Sequence, residues 1–232
     1  MKNKIFRAFF ILFTVMILSS CTIISKRPAS IPDQSLRQYF PTKPGKEYQY
    51  KVTLGDQTIT RKMTWSTSEN PDERNLHYFS DGKGYTKVYS INSDSVELEG
   101  ISVLNHGEPS FYKGSNPCLV TPLKVGNSWK IDAVLKTAGT RIHQTGYARI
   151  IGIETLEVEA GVFKSLKILF DVKSRYKVPE TGEDSIIPAQ YMVWYGENAG
   201  LIRQSGTAMV TGENKSVPLE LELVKISEIN GE

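Results

Sequence analysis

The chain has 232 residues but only two cysteines and three histidines, and both scarcities exclude chemistry. Cys21 ends an N-terminal apolar segment, which leaves Cys118 as the one thiol in the body of the chain. No internal disulfide can staple such a fold, so burial has to hold it together. Cys118 lies in Asn116-Pro117-Cys118-Leu119-Val120 with no motif around it and reads as a small buried filler. His77, His106 and His143 stand at metal-ligand spacing neither from one another nor from Cys118. There is no HExxH, no GxSxG and no phosphate-cradling glycine loop. Asp72-Glu73 and Glu183-Asp184 are carboxylate pairs in turn-like stretches beside Pro71 and Gly182, with too few oxygens for calcium. The expectation is a protein that is not an enzyme and takes no metal or cofactor. A catalytic group assembled from residues scattered in sequence is the route that motifs leave open.

A bilayer-spanning run is also missing. Ala8 to Leu18 is apolar except for Thr14, short of the roughly 20 residues a spanning helix needs. Lys2, Lys4 and Arg7 precede it and Leu18-Ser19-Ser20-Cys21 follows, so residues 1–20 read as an export signal cut before Cys21. Leu-Ser-Ser-Cys resembles the bacterial lipobox, whose cysteine is diacylated and becomes the first residue of the mature protein. The resemblance implies an anchor of palmitate-like chains on Cys21, each buried methylene contributing about 0.8 kcal/mol. Thr22 stands where the similar sorting pattern uses Asp for inner-membrane retention, which implies the outer membrane in a cell with two. Removing 20 of the 232 residues leaves 212, enough for one domain with a real core. It also takes Lys2, Lys4 and Arg7 from the 28 basic residues, leaving 25 against 25 acidic ones. A formally neutral chain argues against nucleic acid as a partner.

A sustained helical stripe is absent too, and what is present is alternation. From residue 21 to 38 the chain is polar and proline-bearing, with Ser25, Lys26, Arg27, Pro28, Ser30, Pro32 and Asp33, and reads as a flexible tether. From Tyr39 onward Tyr48, Tyr50, Val52 and Leu54 alternate with Gln49, Lys51 and Thr53, and Gly55-Asp56 turns into a run carrying Ile59, Met63 and Trp65. Further strands are expected at Leu76–Phe79, Tyr85–Ile91, Val96–Leu104, Trp129–Leu135, Ile142–Val158, Val162–Val178, Tyr191–Tyr195, Leu201–Val210 and Val217–Ile229, with Pro109–Pro117 a loop holding a short edge strand. Turn signals at Asp81-Gly82, Asn92-Ser93-Asp94 and Asn105-His106-Gly107 separate them at meander spacing. Leu219, Leu221 and Leu223 alternate, but Val224 and Ile226 continue on the other parity. Either a β-bulge near Leu223-Val224 intervenes or the strand is buried on both faces beyond it. The expected fold is all-β, a curved antiparallel meander sheet or partial barrel spanning residues 39–232.

Pro41-x-Lys43-x-Gly45-x-x-Tyr48 and Pro122-x-Lys124-x-Gly126-x-x-Trp129 share a spacing before alternating runs. They are either a turn used twice or the mark of two similar halves, 39–117 and 118–232. Phe40-Pro41-x-Lys-x-Gly, Pro122-Leu-Lys-Val-Gly-Asn-Ser-Trp129, Ala160-Gly-Val-Phe-Lys-Ser-Leu-Lys-Ile168 and Trp194-Tyr-Gly-Glu-Asn-Ala-Gly-Leu-Ile-Arg203 resemble landmarks of a broad group of β-rich bacterial envelope lipoproteins. The resemblance also implies a loose likeness in fold to lipoprotein carriers of the LolA and LolB type, which hold acyl chains on a concave apolar face. Tyr48, Tyr50, Trp65, Tyr85, Tyr89, Trp129, Tyr147, Tyr191, Trp194 and Tyr195 are either core filler or the lining of a groove for a lipid, glycan or peptide. Of these, Tyr48, Tyr50, Trp65, Trp129 and Trp194 are the candidate ligand contacts. Two functions compete: an accessory module that meets envelope proteins at the membrane, and a container for an apolar ligand. The accessory reading is preferred, because formal neutrality and strands rich in Lys and Glu require nothing more.

Overall fold

The computed structural model describes residues 34–68, 70, 75–102, 109–137, 140–177, 182, 184–210 and 215–229. The export signal, Cys21 and most of the tether lie outside the described residues, as does the turn expected at residues 105–107. The body of the chain is built on β1 (Lys46–Leu54), in which Tyr48, Tyr50, Val52 and Leu54 are buried while the residues between them are not. That is the pattern of a strand with one wet face. Gly55-Asp56 then reverses the chain into β2 (Gln57–Thr67), which pairs antiparallel with β1 from Leu54↔Gln57 to Glu47↔Thr64.

The remaining strands are β3 (Leu76–Ser80), β4 (Thr86–Ile91), β5 (Ser95–Ser102), β6 (Ser110–Ser115), β7 (Pro117–Val120), β8 (Ser128–Thr137), β9 (Thr140–Val158), β10 (Gly161–Lys177), β11 (Asp184–Gly196), β12 (Gly200–Val210) and β13 (Lys215–Glu228). Every described pairing is antiparallel, and almost every strand pairs with its successor. β13 returns to β1, so twelve strands close into an up-and-down barrel with β7 as a thirteenth. The expected curved sheet or partial barrel is thus fully closed, which removes the exposed ladder edges an open sheet would leave. β6 and β7 lie end to end along one flank of β5: β6 pairs with Gly100 and Ile101, β7 with Ser95 to Glu97. Asn116 is the break between them; the segment Pro109–Pro117, expected as a loop holding a short edge strand, contains β6, and β7 begins at its last residue.

The bulge in β13 is present. Gln49 pairs with Lys225 and Tyr50 with Leu223, which leaves Val224 as the extra residue. Leu219, Leu221, Leu223 and Ile226 then face Leu54, Val52, Tyr50 and Tyr48 across one buried face. β9 and β10, 19 and 17 residues long, carry a further bulge at Lys167/Ile168. Their hairpin tip crosses to β13, where the Ala160 N–H donates to the Leu223 carbonyl.

Two boundaries differ from expectation. The end of the segment 21–38, expected as a flexible tether, runs into a short helix, α1 (Gln34–Tyr39). Leu36, Tyr39 and Phe40 stand three and four residues apart, share one helical face, and are all buried against the barrel. The suggested division at 117/118 cuts through β7, and one closed sheet runs through both sides of it. Gly45 and Gly126 adopt φ of +94° and +92°, a left-handed conformation that side chains disfavour, just before β1 and β8.

Candidate functional site

The interior of the barrel is packed with rings. Phe40, delivered by the end of α1, lies edge-on to Trp65 and Tyr89 with centroids 5.6 and 4.9 Å away. Trp65 stacks on Phe79 at 4.4 Å, and Phe170 stacks on Tyr191 at 4.9 Å. α1 is held over this end of the barrel by two contacts to the β11–β12 turn. The Tyr39 hydroxyl donates to Glu197 Oε1 at 2.9 Å, and the Asn198 N–H donates to the Gln38 carbonyl. Burial pushes the Tyr39 phenol up to about 12, helped by the Glu197 carboxylate it bonds.

These rings leave a cavity of about 60 Å³. Most of its wall is apolar, but Lys87, Asn116, Cys118 and Gln204 also line it. Lys87 reaches the interior because β4 holds it in phase with Tyr89, opposite Phe79 of β3. It is 9% exposed and belongs to none of the ion pairs among the described residues. Burial, with a smaller contribution from the Arg61 guanidinium, pulls its ammonium down to about 8. Arg61 itself is matched by Asp81 at 3.8 Å and by the Tyr85 ring at 4.4 Å. Asn116 is 1% exposed, and neither its Nδ2 nor its Oδ1 meets a partner. Its backbone N–H donates to Glu97 Oε2 at 3.1 Å. Burial outweighs that bond and raises the Glu97 carboxyl to about 7. Cys118, expected as a buried filler, is partly buried and packs against the core, and desolvation pushes its thiol up to about 12 despite the opposing influence of Lys87. A thiol so fully protonated at neutral pH is a poor nucleophile.

Of the five candidate ligand contacts, Tyr48, Tyr50 and Trp65 line the cavity. The Tyr50 hydroxyl is already used, donating to the Leu201 carbonyl at 2.9 Å. Trp129 and Trp194 do not join them. Trp129 is buried away from the cavity, its Nε1–H donating to the Pro117 carbonyl at 2.8 Å and so pinning the start of β7 to β8. Trp194 follows Val193, which lines the cavity, and so points to the opposite face of β11. It is only 6% exposed because Lys167 and Arg203 cover its ring at 5.0 and 5.8 Å, and its Nε1–H donates to Glu154 Oε1 at 2.6 Å. Tyr147, also expected on a sheet face, is 63% exposed on the outside. Lys87 and Asn116 were not candidates. Lys87 had a readable signal, since it breaks the apolar parity set by Tyr85, Tyr89 and Ile91; Asn116 had none. Among the described residues, no group of three His, Cys, Asp or Glu could hold a metal ion.

No family model matches the chain, and no curated protein is similar to it. Solved structures similar to it include three bacterial proteins. A candidate lipoprotein from Parabacteroides distasonis is 15% identical, with 82% of this chain and 98% of that one covered and a TM-score of 0.49. A candidate exported protein with a YmcC-like fold from Bacteroides fragilis is 13% identical, with 82% and 98% covered and a TM-score of 0.44. The hypothetical lipoprotein YmcC from Escherichia coli is 14% identical, with 97% and 96% covered and a TM-score of 0.37.

Proposed function

We propose that this chain is a lipid-anchored, non-catalytic accessory protein of the bacterial cell envelope. Export and acylation rest on Lys2, Lys4, Arg7, the apolar Ala8–Leu18 run and Leu18-Ser19-Ser20-Cys21. Thr22 supports the outer membrane where there are two. The observation that carries the accessory role is the filled interior. A cavity of about 60 Å³ is well below the roughly 300 Å³ at which small-molecule pockets begin, and an acyl chain does not fit among the rings as they stand. Work at the membrane then falls to the outer surface, with envelope proteins as partners and nucleic acid disfavoured by the formal neutrality.

The second reading is a carrier of an apolar ligand, and the aromatic lining of the cavity favours it. It requires Phe40 and Trp65 to move apart. Native mass spectrometry of the full chain, purified in detergent from its own cells, separates the two. A mass equal to the acylated polypeptide alone supports the accessory role. A lipid present at near one copy per chain, removed by organic extraction, would overturn it in favour of the carrier.

A further inference from the structure

The cavity holds an imbalance that the packing does not explain. A buried ammonium ordinarily has a carboxylate beside it, because an unpaired charge in a low-dielectric interior is costly. Lys87 has no such partner among the described residues. The neighbouring Cys118 thiol stays protonated and supplies no negative charge. The phenols of Tyr48, Tyr50, Tyr89 and Tyr195 share the lining, and burial raises each of them, so they are neutral as well. The same cavity is lined by Asn116, whose amide donor and amide oxygen are both buried without a partner. Gln204 adds a second amide, itself 6% exposed. Buried polar groups are satisfied in the great majority of cases, so a cation and an unpaired amide on one cavity define what is missing from it.

We propose that this cavity binds a small carboxylate, two to four carbons long, as a buried ligand of the barrel. The carboxylate accepts from the Lys87 ammonium and from Asn116 Nδ2, which supplies the missing counter-charge and satisfies the amide donor. The short alkyl end lies against Phe40, Trp65 and Phe79. Size sets the limit: at roughly 10–15 Å³ per water-sized occupant, about 60 Å³ takes about four to six such groups, the size of acetate to butyrate. This inference goes beyond the accessory role and stands or falls separately from it.

The test is saturation-transfer NMR and thermal unfolding of the detergent-solubilised full chain, dialysed free of carboxylates. Acetate, butyrate, octanoate and sodium chloride are compared at equal ionic strength. The expected result is saturable transfer to acetate and butyrate with a midpoint raised by several degrees, and neither effect with octanoate or chloride. Lys87→Met should abolish both effects, and Asn116→Leu should weaken binding at least tenfold. The midpoint of each variant without ligand shows that it is folded. No transfer in the wild type, an equal rise with chloride, or an unchanged response in Lys87→Met would each overturn the proposal. Octanoate binding tighter than butyrate would overturn it too, and would support the carrier reading instead.

Discussion

Replacing Lys87 with Met should make this protein more stable, although it deletes a native side chain. The two side chains have similar length and both suit an aromatic wall, so the substitution removes a charge with little change in packing. The magnitude follows from the ammonium, which falls from its ordinary 10.5 in the unfolded chain to about 8 in the barrel. At about 1.4 kcal/mol per pH unit this amounts to roughly 3 kcal/mol of destabilisation wherever both states are protonated, that is below about pH 8. Between pH 8 and 10.5 the folded protein has released a proton that the unfolded chain keeps, so the contribution of Lys87 to stability rises with pH. Above 10.5 both states are neutral and the penalty has gone. Cys118 runs the other way: its thiol titrates at about 12 when folded against an ordinary 9.0, so above pH 9 the unfolded chain releases a proton that the barrel retains, and stability falls. The buried tyrosines, Tyr39 at about 12 among them, add to that fall above pH 10. The difference between variant and wild type cancels these common contributions. Urea unfolding followed by tryptophan fluorescence, in a carboxylate-free amine buffer, should place Lys87→Met about 2–3 kcal/mol above wild type at pH 7. The two should converge by about pH 10.5. For a chain of this size that gain corresponds to roughly 4–12 °C in the unfolding midpoint. A variant no more stable than wild type at pH 7, or a gap that does not change between pH 7 and 10, would refute the reasoning.

Other consequences are as direct. Trp65→Ala empties the centre of the ring cluster and should cost about 3–5 kcal/mol, read by the same urea titration. Gly114 has φ of +113°, and a Cβ there would run into the Asp132 carbonyl oxygen on the paired strand β8; Gly114→Ala should break the β6–β8 ladder, seen as lost amide protection at Tyr112 to Ser115. Native Cys118, with its thiol near 12, should react with iodoacetamide at pH 8 on the order of a thousandfold more slowly than in the unfolded chain. Metabolic labelling with a fatty acid should mark wild type and disappear in Cys21→Ser; label retained by the variant would remove the anchor.

Much of the strand plan was legible because a strand with one buried face writes its period of two directly into the residues. β1 shows it in Tyr48, Tyr50, Val52 and Leu54, and β13 shows even its interruption: the parity switch after Leu223 marked the bulge that the register puts at Val224. The turns at Gly55-Asp56, Asp81-Gly82 and Asn92-Ser93-Asp94 were legible for the same local reason, that few residues tolerate their backbone conformations. Closure was not. Whether β13 comes back to β1 depends on twist and curvature accumulated over twelve strands, which no single segment encodes. The helix at Gln34–Tyr39 was hidden because six residues are too few to display a period, and Leu36 is ordered by the barrel beneath it. Alternation also says that a face is buried without saying against what. Trp65 and Trp194 look alike in sequence, yet one stacks on Phe79 inside the barrel and the other lies outside under Lys167 and Arg203. The cavity was the least legible part, because its polar members come from β4, from the β6–β7 break, from β7 and from β12. A charge without a counter-charge is a property of what surrounds it, and only the closed barrel assembles those surroundings around Lys87.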